Sequence, residues 1–165
     1  MAFTSGKYDG TLAGSTIGQT ADGVKTTHEV SKQLIIGDNF GDAVQDAVYR
    51  GINMFVDFTL LEYEAAKALA AFWPYAALIY DMGVIGRLDV AEGSAQSAIA
   101  SQLVFTALAN TPAALDSAPL NFTLPRSILR ENFPVEILHG PVAREVPISM
   151  RLYPDTSGVF GTAQL

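Results

Sequence analysis

The chain has 165 residues, enough for one domain with a sizeable core. It is 49% apolar and only 16% charged, where globular domains usually carry about 25% charged residues, so part of its apolar surface is expected to be buried against other subunits. The net charge of −7 and pI near 4.6 exclude tight wrapping of nucleic acid, and the absence of cysteine excludes disulfides, thiolate chemistry and Cys-based zinc sites.

Met1 to Gly10 has no apolar segment of the kind a signal peptide needs and reads as an N-terminal arm, about residues 1–10. The Asp9-Gly10 turn signal is expected to lead into a short strand, Leu12 to Ile17. Val24 to Ile36 reads as a longer strand. Val24, Val30, Leu34 and Ile36 share one parity, and Lys25, Thr27, Glu29, Ser31 and Gln33 share the other, so one side should be dry. The clearest strand is Gly51 to Leu61. Ile52, Met54, Val56, Phe58 and Leu60 point one way and Asn53, Asp57 and Thr59 the other, with Phe55 out of pattern. Residues 37–47 between these strands form a long hairpin loop, and long connections in compact domains are often functional.

Glu62 to Trp73 is expected to be a helix. Ala65, Ala66, Leu69, Phe72 and Trp73 make its apolar stripe, Glu62 and Glu64 favour its N-terminal dipole, and Pro74 stops it. Ala77 to Tyr80 and Val84 to Val90 are strand candidates around Gly83 and Gly86. Ser101 to Ala109 follows as a strand and residues 110–119 as a loop. Leu120, Phe122 and Leu124 alternate in a short strand ended by Pro125, and Val135 to Leu138 is another short candidate. Val146, Ile148, Met150 and Leu152 form a closing strand in which Pro147 signals an edge or a start. Residues 157–165 read as a C-terminal tail. The uncharged stretches 68–80 and 93–115 are too short or too polar for a bilayer helix, so no membrane partner is expected. The reading is a single mainly β domain, an antiparallel sandwich or barrel with one flanking helix at about 62–73.

No catalytic constellation emerges. The two histidines, His28 in a strand and His139 before Gly140-Pro141, lack the context of a metal site or a triad, and no nucleotide-binding or nucleophile-elbow motif is present. Asp38, Asp42 and Asp46 are spaced by four without EF-hand spacing and read as solvated loop charges, not as a calcium site. Glu62 with Glu64, and Glu131 with Glu136, are better explained as helix-start and loop charges than as a glycosidase pair. The Phe72-Trp73-Pro74-Tyr75 cluster reads as the helix docking on the sheet. The expectation is a protein that is not an enzyme, with no metal and no cofactor.

The segment Gly18 to Tyr63 runs through a glycine turn, a strand, a long loop, Val48-Tyr49-Arg50-Gly51, an alternating strand and Glu62. In that order it resembles the bacteriophage tail tube family, the major tail proteins, with Val48, Gly51, Phe58, Leu60 and Glu62 at the matching positions. Glu145 to Asp155 is similar to the family's Pro-started closing strand and acidic turn. The resemblance covers the first third and last tenth of the chain, leaves 75–140 undistinguished, and consists of patterns more than signatures.

The resemblance implies a structural virion protein, assembled in the host cytoplasm into hexameric rings that stack into a tube and conduct DNA during ejection. Its partners would be other copies of itself, further tail proteins, and DNA passing without sequence-specific binding. Inter-ring contacts would come from Gly37, Asp38, Asn39, Phe40, Gly41 and Asp42, with Phe40 either entering a neighbour or folding back on its own sheet. A conduit should repel phosphates, which makes Glu29, Asn53 and Asp57 the candidate lumen-facing residues, with Lys25 and Arg151 as exceptions. The same strand plan suits a tail terminator, a head–tail connector or a secretion-tube ring. A ligand-binding β-barrel is the remaining alternative and would need convergent polar groups in a pocket.

Overall fold

The computed structural model describes residues 8–36, 43–61, 95–107, 121–134 and 145–164. These form β1 (Tyr8–Leu12), β2 (Ser15–Ile36), β3 (Val44–Leu60), a short helix α1 (Gln96–Ile99), β4 (Ser101–Ala107), β5 (Asn121–Leu129), β6 (Val146–Leu152) and β7 (Thr162–Gln164). The fold is mainly antiparallel β, as the alternation of apolar residues implies. The expected helix at 62–73, the strand candidates at 77–80, 84–90 and 135–138, and the Phe72–Tyr75 cluster lie outside the described residues.

The sheet runs β4-β1-β2-β3-β6-β5, and β5 also pairs with β4, so it closes into a six-stranded barrel. The second edge of β5 is divided between β7, at Asn121–Thr123, and β6, at Ser127–Leu129. Closure removes sheet edges, which otherwise expose rows of unpaired backbone groups. Inward-facing residues of all six strands fill the interior. Leu12, Ile17, Val56, Leu60, Leu103, Phe105, Met150 and their neighbours form one buried cluster. Phe105 sits at its centre, edge-on to Phe58 at 5.0 Å and to Tyr8 at 6.3 Å. Gly10 lets β1 pass close to this centre, since a Cβ there would lie 2.8 Å from Ile17 Cγ1 and 3.2 Å from the Phe105 ring.

Several boundaries differ from the sequence reading, each for a local reason. The first turn is Ala13-Gly14, not Asp9-Gly10. Both of its residues have positive φ, and Leu12 pairs directly with Ser15 across a two-residue hairpin. Leu12 to Ile17 therefore spans the end of β1 and the start of β2, and the expected arm is already strand from Tyr8. Pro125 does not end β5. The register slips there, with Leu124 opposite Leu103 and Ser127 opposite Ser101, so the bulge absorbs the residue that has no N–H to donate. The expected tail also has structure. Asp155 Oδ1 accepts from the N–H groups of Ser157 (2.8 Å) and Val159 (2.9 Å), and the chain then enters β7. Arg126 ties this end down by donating to the carbonyls of Pro154 (3.3 Å) and Ser97, the latter in α1.

The largest difference is in β2 and β3, which have 22 and 17 residues where strands usually have about 5–6. β3 begins at Val44, inside the expected 37–47 loop. Val44 to Ala47 are paired with β2, which leaves residue 43 and the six preceding residues as the connection.

Because Phe105 touches aromatic rings from β1 and β3, Phe105→Ala is expected to lower unfolding free energy by about 3–5 kcal/mol, measured by urea denaturation.

Candidate functional site

Two surfaces stand apart from the barrel core, and both belong to the β2–β3 ladder. The first is its distal half. β1 pairs with β2 only as far as Gln19, and β6 pairs with β3 only from Met54 onward. Beyond those limits the two strands continue as a ribbon whose outer edges pair with no other described strand. Directly paired residues share a face, so the face that carries Val56 and Phe58 into the core continues outward through Val30–Ile52, Lys32–Tyr49, Leu34–Ala47 and Ile36–Val44. Val30, Leu34, Ile36, Val44 and Tyr49 on that face are 51–60% exposed. The opposite face adds Val48 and Ile35, also exposed, among Ser31, Gln33 and Asp46. The side of β2 that the alternation marks as dry is therefore exposed from Thr26 onward, and no described element lies over its Val30–Ile36 end.

An isolated two-stranded ribbon is marginally stable in water, and the apolar residues on this one are exposed. Two register shifts shape it. Arg50 is the extra residue opposite Ser31 and Lys32, beside Gly51 at φ +149°, and Gln45 is the extra residue opposite Ile35 and Ile36.

The second surface lies at the ribbon's root, on the outer face of β2, β3 and β6. By register Glu29 sits across from Asn53 and Lys25 across from Asp57, while Phe55 lies across from both Thr27 and Arg151. Glu29, Asn53 and Asp57, chosen from the sequence as one set, thus share one face, with Lys25 and Arg151 on it. Phe55 points outward, away from the barrel interior, yet is only 1% exposed. Two guanidinium groups lie over the ring, and Ile128 and Ser149 on the same face are buried as well. Arg130 lies 3.9 Å and Arg151 4.7 Å from the ring centroid, each combining a cation–π contact with cover for the apolar ring.

Each guanidinium also has a carboxylate. Arg151 makes a two-pronged contact with Glu131, its Nε donating to Oε2 at 2.7 Å and its Nη2 to Oε1, while Nη1 donates to Asn53 Oδ1 at 3.1 Å. Arg130 Nη2 lies 3.6 Å from Glu29 Oε1. The hydrogen bond from Arg151 holds the Glu131 carboxyl below its ordinary value of 4.5, and the same bond raises Arg151.

Nearby, three β2 residues, 21–23, stand opposite the single Thr59. Beside this bulge lies an open groove of about 370 Å³ lined by Lys25, Asp57, Thr59, Phe133 and Pro147 among others. It holds one cation and one anion set across from each other.

The candidate inter-ring residues Gly37, Asp38, Asn39, Phe40, Gly41 and Asp42 lie outside the described residues, as does His139. Asp46 accepts from the N–H of Ala47 at 2.7 Å, and His28 is exposed on β2. Among the described residues no group of three or more His, Cys, Asp or Glu side chains is placed to hold a metal, and no helix is long and apolar enough to cross a membrane. The sequence reading missed Arg130 and the roles of Phe55 and Glu131. The one signal for them was Phe55 itself, an aromatic residue on the polar parity of its strand.

Comparison of the sequence with protein-family models returns no match, and comparison with curated proteins returns none either.

Glu131 has a depressed folded-state pKa, so its pairing contributes stability above the unfolded value and loses it as pH falls through the folded one. Unfolding free energy is expected to hold between about pH 7 and 5 and to fall below about pH 4.5, with Glu131→Gln removing part of that fall. Urea titrations of both proteins at pH 7, 4 and 3, each approximate to within about half a unit, check this by the difference between them.

Proposed function

We propose that this chain is a self-assembling structural subunit of a bacteriophage tail tube, forming rings that stack into a conduit for DNA. The observation that carries assembly is the β2–β3 ribbon. The face that enters the barrel core at Val56 and Phe58 carries exposed Val30, Leu34, Ile36, Val44 and Tyr49 further out, interrupted on β2 by Thr26, His28 and Lys32. A second copy is the favoured occupant because the chain has few charged residues to keep such a face in water, and because repeated copies would cover every ribbon in the same way. Electrostatics favour the conduit: net charge −7 repels phosphates. The tail itself is supported by the resemblance of Gly18–Tyr63 and Glu145–Asp155 to tail tube proteins. In this reading the protein resides in the virion tail, meets further tail proteins, and catalyses nothing.

Electron microscopy of the purified protein tests this. Long uniform tubes are expected. Isolated rings would favour a terminator, connector or secretion-ring subunit, and a monodisperse monomer at high concentration would overturn assembly altogether. Leu34→Glu places a charge in the middle of the apolar ribbon face, outside the barrel core. It is expected to abolish tubes while shifting the urea midpoint little, since substitutions at exposed sites usually change stability by only about 0.5 kcal/mol.

A further inference from the structure

The stacked arginines sit oddly in a protein that should let DNA slide. Arginine is the side chain best suited to grip phosphate, through its planar fork of donors, and the side chains of Arg130 and Arg151 are 34% and 20% exposed. Yet the fork of Arg151 is taken and that of Arg130 faces a carboxylate. Glu131 takes two prongs of Arg151 and Asn53 a third, Glu29 stands at Arg130, and the Phe55 ring occupies a face of each guanidinium.

The charges on this outer face balance. Lys25, Arg130 and Arg151 are offset by Glu29, Asp57 and Glu131, although the chain as a whole is strongly acidic. An outer face built only to repel phosphate would have no need of the arginines. Both lie over the Phe55 ring, and each faces a carboxylate.

We infer that Glu29 and Glu131 mask a latent phosphate-binding surface, holding Arg130 and Arg151 away from a nucleic-acid backbone that passes this face. The inference deepens the conduit reading and rests on it for the identity of the polyanion. The mechanism is competition. A carboxylate tethered in the same chain is already in place, whereas each phosphate would have to be brought from solution and would meet an acidic chain. Neutralising the two carboxylates by Glu→Gln keeps their shape and leaves the guanidiniums stacked on Phe55 with donors to spare.

The test uses the full chain carrying Leu34→Glu, so that the face is reachable whether or not the parent assembles, with a short fluorescein-labelled duplex as the probe. Fluorescence anisotropy is expected to show no binding for this parent. Adding Glu29→Gln and Glu131→Gln should tighten binding at least about tenfold at low salt, with the gain lost as salt rises, because displaced counterions drive it. Adding Arg130→Gln and Arg151→Gln on top should return the affinity to that of the parent.

The control is Asp46→Asn with Glu145→Gln. It changes net charge equally, with one site out on the ribbon and the other at the end of β6 away from Arg151, and it should give only a small gain. The inference is overturned if the parent binds as tightly as the unmasked variant, or if unmasking gains no more than the control. Should circular dichroism show that the double variant does not fold, Glu29→Gln alone carries the test. It breaks only the longer, more exposed contact, and should still tighten binding about threefold by freeing one arginine. No gain there would overturn the inference equally. A wild-type chain that never assembles would sink the tube reading and leave this measurement intact.

Discussion

Everything described depends on one constraint: the backbone ladder between β2 and β3 is longer than the barrel that contains its first half. In the proximal half, β3 is held on both sides, by β2 and by β6, and its inward residues Val56, Phe58 and Leu60 enter the core. In the distal half the same two strands pair, among the described residues, only with each other. The alternation does not stop where the barrel stops, so its apolar residues are buried at one end and exposed at the other. The barrel anchors the ribbon. Without the closure through β4 and β5 the ribbon would be an isolated hairpin, too weak to hold a shape by itself.

Much of this was legible in the residues. Period-two alternation fixed β6 nearly to its ends and β3 at its C-terminal end, though not its start at Val44, and fixed which side of each faces the core. It also placed Glu29, Asn53 and Asp57 on a common face, since parity survives any uncertainty about register. What could not be read was whether a dry-looking side has anything lying over it. Alternation reports that Leu34 and Ile36 share a side with Val24 and says nothing of what covers them. Turn positions failed for a related reason. Asp9-Gly10 is a turn signal by composition, but Gly10 is needed for close passage over Ile17 and Phe105, and Ala13-Gly14 takes the turn instead. Pro125 failed because a bulge, invisible in a single sequence, can absorb a proline that would otherwise end a strand.

Phe55 shows how a departure from pattern locates a site. An aromatic residue on the polar side of a strand must be covered. Among the described residues, two cationic side chains lie over the ring. Those cations require anions, and Glu29 and Glu131 provide them. The sequence reading considered Glu131 only as a possible partner of Glu136, because residues twenty apart in the chain are not visibly neighbours until β5 and β6 are paired.

The two single-residue bulges of β3 bear on a hazard that any long exposed ribbon carries. A flat pair of strands with open edges is a template on which further strands can add without limit, and the end point of such addition is a fibre. Arg50 and Gln45 interrupt the regular spacing of donors and acceptors along the open side of β3 twice within a few residues, and each bulge adds local coiling. An incoming strand cannot match that side over its whole length. Growth by edge addition is thereby blocked on β3, while the apolar face stays intact. On the tube reading proposed above, copies meeting through the apolar face would be kept from adding strands along this side of β3.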